Sequence, residues 1–228
     1  MEEAPAVSGG QLILDGVAWQ NYLRLLRAFD DRHLRITYDR GALEIMTLSP
    51  EHERFKHLLN YLISVLVEEL GWDMAGFGSM TFKSSRQRRG LEPDECYWIQ
   101  SEPRVRGKDS IDLRHDPPPD LVVEIDITHS SLDRLSIYAA LGVPEVWRFN
   151  GQELVAYLLG PGDDYVESQQ SRAFPFLDLV EVARLLGTRS ARSETELMRQ
   201  FRAWVRGRMA AEWTHKPNSP TEEPDGEW

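Results

Sequence analysis

The sequence predicts an α/β protein built on a mixed sheet, and three observations carry that reading. The run DLVVEIDIT, then SSLDRLSIYAALG, then VPEVWRF has the pattern of strand, helix and strand, the βαβ unit that a parallel pair requires. Asp39-Arg40-Gly41 and Asn150-Gly151 each sit between strand-like segments, as the turns of antiparallel hairpins do. Apolar residues at helical spacing stand before, between and after these β segments, which is how helices come to cover a sheet.

Each element follows in order. Val17, Trp19, Tyr22, Leu23, Leu26 and Phe29 predict a short amphipathic helix behind an Asp15 cap. LRITYDRGALEIMTL then predicts two antiparallel strands. Ser49 as cap, Pro50 at the first helical position, an apolar stripe from Phe55 to Leu70 and Gly71 as stop define the clearest helix. From Met74 to Gln100 short β-prone runs flank the basic SSRQRRG, which predicts a hairpin with a cationic tip, and 101–119 reads as an exposed loop. DLVVEIDIT predicts a central strand buried on both faces. Ser131 is the expected cap of the next helix and Gly142 its stop. VPEVWRF and QELVAYLL form the Asn150-Gly151 hairpin, YVESQQS adds an edge strand, and Ser193 with Glu196 makes a capping box ahead of a long closing helix.

Composition bounds the rest. The 228 residues are 41% hydrophobic and 28% charged, enough for one sizeable core or at most two small ones. The expected organisation is a flexible start over 1–10, a single domain over 11–212 and a disordered acidic tail over 213–228. No run approaches the roughly 18 apolar residues of a membrane span, and MEEAPAVSGGQ lacks the regions of a signal peptide, so the expectation is a cytoplasmic protein with no membrane partner. The single cysteine, Cys96, excludes an internal disulfide and a cysteine-rich zinc site, and reads as packing. The net charge of −11 argues against the broad basic surface of a non-specific nucleic-acid coat. A local site is still compatible with it, since about −3 of that charge falls on the tail.

Residues two apart share one face of a strand, so Asp120, Val122, Glu124 and Asp126 point one way while Leu121, Val123, Ile125 and Ile127 point the other. Carboxylates in a buried strand demand compensation, and two kinds are open: a divalent cation, or salt bridges with buried arginines. Magnesium prefers one or two carboxylates together with water and substrate phosphate. The acid expected on the neighbouring strand is Asp94, in Glu92-Pro93-Asp94-Glu95. Asp120 reads as a turn or strand-start residue.

Together SPEHERFKHL, GLEPDE, PPDLVVEIDITHSSL and IYAALGVPEVWR resemble the Uma-type restriction endonuclease family, a branch of the PD-(D/E)XK nuclease superfamily. The resemblance implies a restriction-endonuclease-like fold, a mixed sheet with a four-stranded core flanked by helices. It also implies a catalytic magnesium or manganese ion, hydrolysis of phosphodiester bonds in DNA, and a homodimer. By motif Asp94 and Glu124 are the implied metal ligands, with Asp126 beside them, and an acid near the start of the first core helix joins such sites, here Glu51 or Glu53 with His52 adjacent. The chain departs from the superfamily pattern at Asp126, which stands where the simple motif has lysine. The resemblance implies a cation displaced to the following helix, where Arg134 occupies the point at which lysine is expected. Arginine stabilises charge on a phosphate oxygen but does not give up a proton, so the chemistry would lean on the metal.

Blander readings stand beside these. His52, Glu53, Lys56 and His57 also fit a solvated helix face, and His129 a hydrogen-bonded loop residue. Lys83, Arg86, Arg88 and Arg89, like Arg104, Arg106 and Lys108, suit either phosphate contacts or a solvated hairpin tip and loop. Trp98 and Trp147 read as core. The rival function is a catalytically inactive module of the same fold that binds DNA or protein, and a third reading is a metal-dependent hydrolase of another phosphoester.

Overall fold

A computed structural model of the chain describes residues 10–29, 34–127, 130–187 and 193–214. The expected flexible start and acidic tail therefore fall almost wholly outside the described residues, although the closing helix runs to Thr214 and takes the first two tail positions.

The chain begins with β1 (Gln11–Leu14) and helix α1 (Trp19–Ala28). The helix cap is Ala18, without a side-chain bond, and not the expected Asp15; burial of Tyr22 against the sheet, not capping, holds this helix. Strands β2 (Leu34–Asp39) and β3 (Ala42–Thr47) pair antiparallel around Arg40 and Gly41, whose φ values of 49° and 114° are those of a primed hairpin turn. Helix α2 (Pro50–Leu70) starts as its sequence demands, with the Ser49 hydroxyl accepting from His52 N at 3.1 Å. It ends at Gly71 in the left-handed region, φ 64°, where the cap N–H reaches the Glu68 and Val67 carbonyls.

Next come β4 (Ala75–Gly76), β5 (Phe82–Ser84), β6 (Arg89–Leu91) and β7 (Glu95–Trp98). The basic hairpin exists, but its two strands join the β2–β3 hairpin while β7 enters a different sheet, so Glu92-Pro93-Asp94 is the bridge between two sheets. In the following loop a 3₁₀ turn at Glu102–Arg104 buries Glu102 and Val105. Strand β8 (Leu121–Ile125) is buried along its whole length. Helix α3 (Arg134–Leu141) crosses to β9 (Glu145–Phe149), parallel to β8, and β10 (Leu154–Leu159) and the edge strand β11 (Tyr165–Ser168) complete the β structure. Helices α4 (Leu179–Gly187) and α5 (Glu194–Thr214) follow, the latter capped by the Ser193 hydroxyl as expected.

Two sheets result, where the sequence reading had one: a five-stranded sheet ordered β1-β3-β2-β6-β5 and a six-stranded mixed sheet ordered β11-β10-β9-β8-β7-β4. One face of the mixed sheet presents Leu121, Val123 and Ile125 to Phe55, Leu59 and Leu62 of α2 and Phe201 of α5. The other presents Val122 and Cys96 to Ile137 and Tyr138 of α3. Each such aliphatic side chain contributes roughly 1.5–3 kcal/mol by leaving water. The smaller sheet has a core of Tyr22, Ile36, Tyr38 and Leu43. A Cβ on Gly90 would collide with the Tyr22 phenol, so only glycine lets α1 lie this close to β6. The expected mixed sheet flanked by helices, with an N-terminal helix and hairpin and a long closing helix, is the observed restriction-endonuclease-like architecture.

Candidate functional site

The seam between the two sheets holds the charged groups. Asp94, Glu124, Arg134 and Arg35 are 1%, 4%, 4% and 7% exposed, and they meet each other. Strand β8 alternates, so Glu124 leaves the sheet on the α3 side along with Val122, as its position in the strand demands. Asp94, at the bridge into β7, is fixed by the Ile125 N–H, which donates to its Oδ2 at 2.7 Å. Two acids distant in sequence thus reach one buried place.

Both are neutralised by arginine. Arg35 of β2 contacts Asp94 Oδ1, lies 3.5 Å from Glu124 Oε2, and is 3.2 Å from His52 Nε2. Arg134 Nη2 donates to Glu124 Oε1 at 2.7 Å and to the Glu92 carbonyl at 2.6 Å, while its Nη1 donates to Thr37 Oγ1 at 2.5 Å. The Tyr138 hydroxyl, one turn along α3, also donates to Glu124 Oε1. Burial alone would raise the Glu124 pKa, but the Arg134 and Arg35 guanidiniums outweigh it and hold the carboxyl below its ordinary value. Burial pulls Arg134 down and Glu124 pushes it back above the usual arginine value. Burial lowers Arg35, with Glu124 opposing. Two carboxylates set against two guanidiniums can balance in charge, which is what makes their burial tolerable.

His52 joins the cluster, its Nε2 lying 3.0 Å from Asp94 Oδ1. Burial first, and then the positive charge of Arg35, lower its pKa to about 4. A neutral ring is the form that suits a site already holding two guanidiniums.

Of the candidates read from the sequence, the structure brings Asp94, Glu124, Arg134 and His52 into one buried cluster, and the others stand outside it. Asp126 stands just beyond the end of β8, its backbone N–H on the Phe149 carbonyl at 2.8 Å and its carboxylate 3.6 Å from Arg148 Nε. Glu53 is half-exposed at the rim, 3.4 Å from His52 Nδ1 and 3.9 Å from Lys56. Arg86 and Arg88 are exposed at the hairpin tip. Arg89 is tied down, donating to Asp39 at 2.9 Å and to the Ser136 carbonyl at 3.0 Å, so it is a structural strut. His129 lies outside the described residues. Asp120 accepts from the Ile99 and Ser101 N–H groups and the Ser101 hydroxyl, confirming a turn role. Trp98, Trp147 and Cys96 are core.

Sequence reasoning missed Arg35, Thr37 and Tyr138. Arg35 and Thr37 alternate with Ile36 and Tyr38, so they look like the solvated face of a half-buried strand. Glu44 was missed too. Paired opposite Thr37, it accepts from Ser130 Oγ at 2.5 Å and Ser131 N at 2.7 Å, tethering the loop after β8. With Ser131 so engaged, α3 is capped by Asp133, which accepts from Ser136 N, and not by Ser131.

Two clefts adjoin the quartet. One, of about 270 Å³, is lined by Glu124, Asp126, Ser130, Arg134 and Arg148. The other, of about 670 Å³, is lined by Asp94, Glu53, Lys56, Lys83 and Glu92. Arg35 lines both. The donor chemistry of Asp94 and Glu124 suits a divalent ion, since two convergent buried carboxylates require positive charge and magnesium asks a protein for no more than that. The guanidinium of Arg35 holds the place between them. Among the described residues no group of three or more His, Cys, Asp or Glu is placed to hold a metal, so Asp126 does not complete a three-acid site.

The architecture and the acid-lined seam define a restriction-endonuclease-like α/β protein. Residues 19–191 match the family described as "Uma2: Putative restriction endonuclease", which is most of the chain, and the protein belongs to that family. Its fold is similar to that of a solved structure described as a "putative nuclease belonging to DUF820 from Anabaena variabilis", at 15% identity and a TM-score of 0.40, covering 60% of this chain and 78% of that one. No curated protein matches. Among the described residues, no helix is long and apolar enough to cross a membrane.

Proposed function

We propose that this protein is a hydrolase of phosphodiester bonds, an endonuclease acting on DNA with magnesium or manganese. The observation that carries the proposal is that Asp94 and Glu124 reach the same buried guanidinium, Arg35, with Arg134 against Glu124, within a chain of the Uma2 family. Asp94 and Glu124 would hold the ion, which when bound supplies a Lewis acid that polarises the scissile phosphate and lowers the pKa of water. Arg134 presents a fixed guanidinium, locked by Thr37, Glu92 and Glu124, that stabilises negative charge developing on phosphate oxygens without reorganising. It donates hydrogen bonds and keeps its proton. Tyr138, whose pKa burial and Glu124 raise well above normal, likewise stays protonated and donates to Glu124. Lys56 and Lys83 at the larger cleft, and Arg86 and Arg88 at the hairpin tip, give the substrate backbone positive charge on an otherwise acidic protein. A homodimer belongs to the same proposal and rests on the resemblance.

The test is cleavage of plasmid and oligonucleotide DNA by purified protein with and without magnesium or manganese, wild type against Glu124→Ala. Metal-dependent cleavage lost in the variant supports the reading, and equal cleavage by both contradicts it. One observation favours the rival of an inactive binding module: arginines already neutralise both carboxylates, and Asp126 and Arg134 stand where lysine is expected. Binding of DNA without cleavage, indifferent to metal, would select that rival.

A further inference from the structure

The two arginines of the quartet are not equivalent. Arg134 is held through Nη1 by Thr37 and through Nη2 by Glu92, Glu124 and Tyr138, and of the two clefts it lines the smaller. Arg35 sits between the acids, against Asp94, 3.5 Å from Glu124 and 3.2 Å from the His52 ring. Asp94 opens to the larger cleft and Glu124 to the smaller, and Arg35 is the side chain lining both. Arg35 is thus at once the counter-charge of the carboxylate pair and a border of both cavities.

We infer that Arg35 is an exchangeable plug: its guanidinium occupies the divalent-cation position between Asp94 and Glu124, and the ion enters when Arg35 swings into one of the flanking clefts. Three physical points support this. A guanidinium and a divalent ion compete for the same carboxylates, because each satisfies the same demand for positive charge. The swing is sterically provided for, since cavities of about 670 and 270 Å³ lie on either side. The displacement joins the clefts into one groove with both acids on its floor, and carries a positive group toward the space where a phosphate would lie. The plugged form keeps the apo protein folded, and its stability lowers metal affinity by the fraction of molecules in the open form. The inference rests on the metal-dependent reading above.

Calorimetric titration of Mn²⁺ into the purified full chain tests it, comparing wild type, Arg35→Ala and the double variant Arg35→Ala/Glu124→Gln, each checked for folding by circular dichroism. Removing the plug should tighten Mn²⁺ binding by about tenfold or more, the gain expected when a closed form dominates. The double variant should lose that gain. Guanidinium ion at low millimolar concentration should weaken Mn²⁺ binding to Arg35→Ala by refilling the vacated position, and leave wild type unchanged. If Arg35→Ala does not fold, Arg35→Lys, with a shorter reach and a single-point charge, should still bind Mn²⁺ more tightly than wild type. Equal affinity in wild type and variant would overturn the plug and leave the metal-dependent nuclease standing. Absence of Mn²⁺ binding in every form would overturn both.

Discussion

Arg134 Nη2 lies 2.7 Å from Glu124 Oε1 and 2.6 Å from the Glu92 carbonyl oxygen, so one guanidinium ties α3 to the central strand and to the turn that delivers Asp94. Removing it leaves a buried carboxylate against a single remaining cation. Arg134→Met should therefore destabilise the protein by about 3–5 kcal/mol in urea unfolding. Arg134→Lys should recover only part of that loss, because an ammonium cannot reach Thr37, Glu92 and Glu124 together. A wild-type unfolding midpoint for Arg134→Met would show that the buried pair is not structural.

Asp120 provides a control away from the chemistry. Its Oδ2 accepts from Ile99 N at 2.7 Å, Ser101 N at 2.9 Å and Ser101 Oγ at 2.9 Å. Asp120→Ala should cost about 1–3 kcal/mol in the same assay by stranding backbone donors. Mn²⁺ affinity should be unaffected, whereas a loss of binding in a folded Asp120→Ala protein would enlarge the site beyond the quartet.

Cys96 is fully buried, and burial pushes its thiol from 9.0 up to about 12. The native protein should resist Ellman's reagent at pH 8, and reveal its single thiol on unfolding in denaturant. The sign for stability follows from a raised folded value. The contribution is complete below pH 9 and is lost as pH rises from 9 towards 12, because only the unfolded chain releases the proton there. Rapid labelling of the native protein would contradict this burial.

The exposed tip residues offer a test of substrate contact. Arg86→Ala/Arg88→Ala should shift stability by no more than about 0.5 kcal/mol, as surface changes do. DNA affinity should fall, and the slope of log K against log salt should become shallower by about two if both contact phosphates. An unchanged slope would return these residues to the solvated-tip reading.

The parts of the fold that were legible in the sequence are those specified locally. Ser49, Pro50 and Gly71 mark the ends of α2, and Asn150-Gly151 and Arg40-Gly41 mark hairpins, because caps and left-handed turns depend on few residues. The continuous apolar character of LVVEI revealed the central strand, and with it Glu124. The division into two sheets was not legible, since Arg89-Gly90-Leu91 chooses the β2 edge through pairing that only tertiary structure supplies. That division is also what hid Arg35 and Thr37. Their side of β2 looks solvated until the mixed sheet and α3 cover it. The strand QLIL and the helix LVEVARLLG went unassigned, the first because it is short and pairs only at an edge, the second although Leu179, Val182, Ala183 and Leu186 have helical spacing. Asp126 was expected with Glu124 because alternation puts them on one face, but β8 ends at Ile125 and Asp126 turns to Arg148.

Cleavage of supercoiled and linear DNA by the purified full chain, titrated with magnesium or manganese and repeated with Glu124→Ala, tests the nuclease assignment most directly. Metal-dependent scission by wild type, reduced by several orders of magnitude in the variant while its fold is retained, is the predicted result. Cleavage that persists undiminished in Glu124→Ala, or wild-type protein that binds DNA yet never cuts it at any metal concentration, would contradict it.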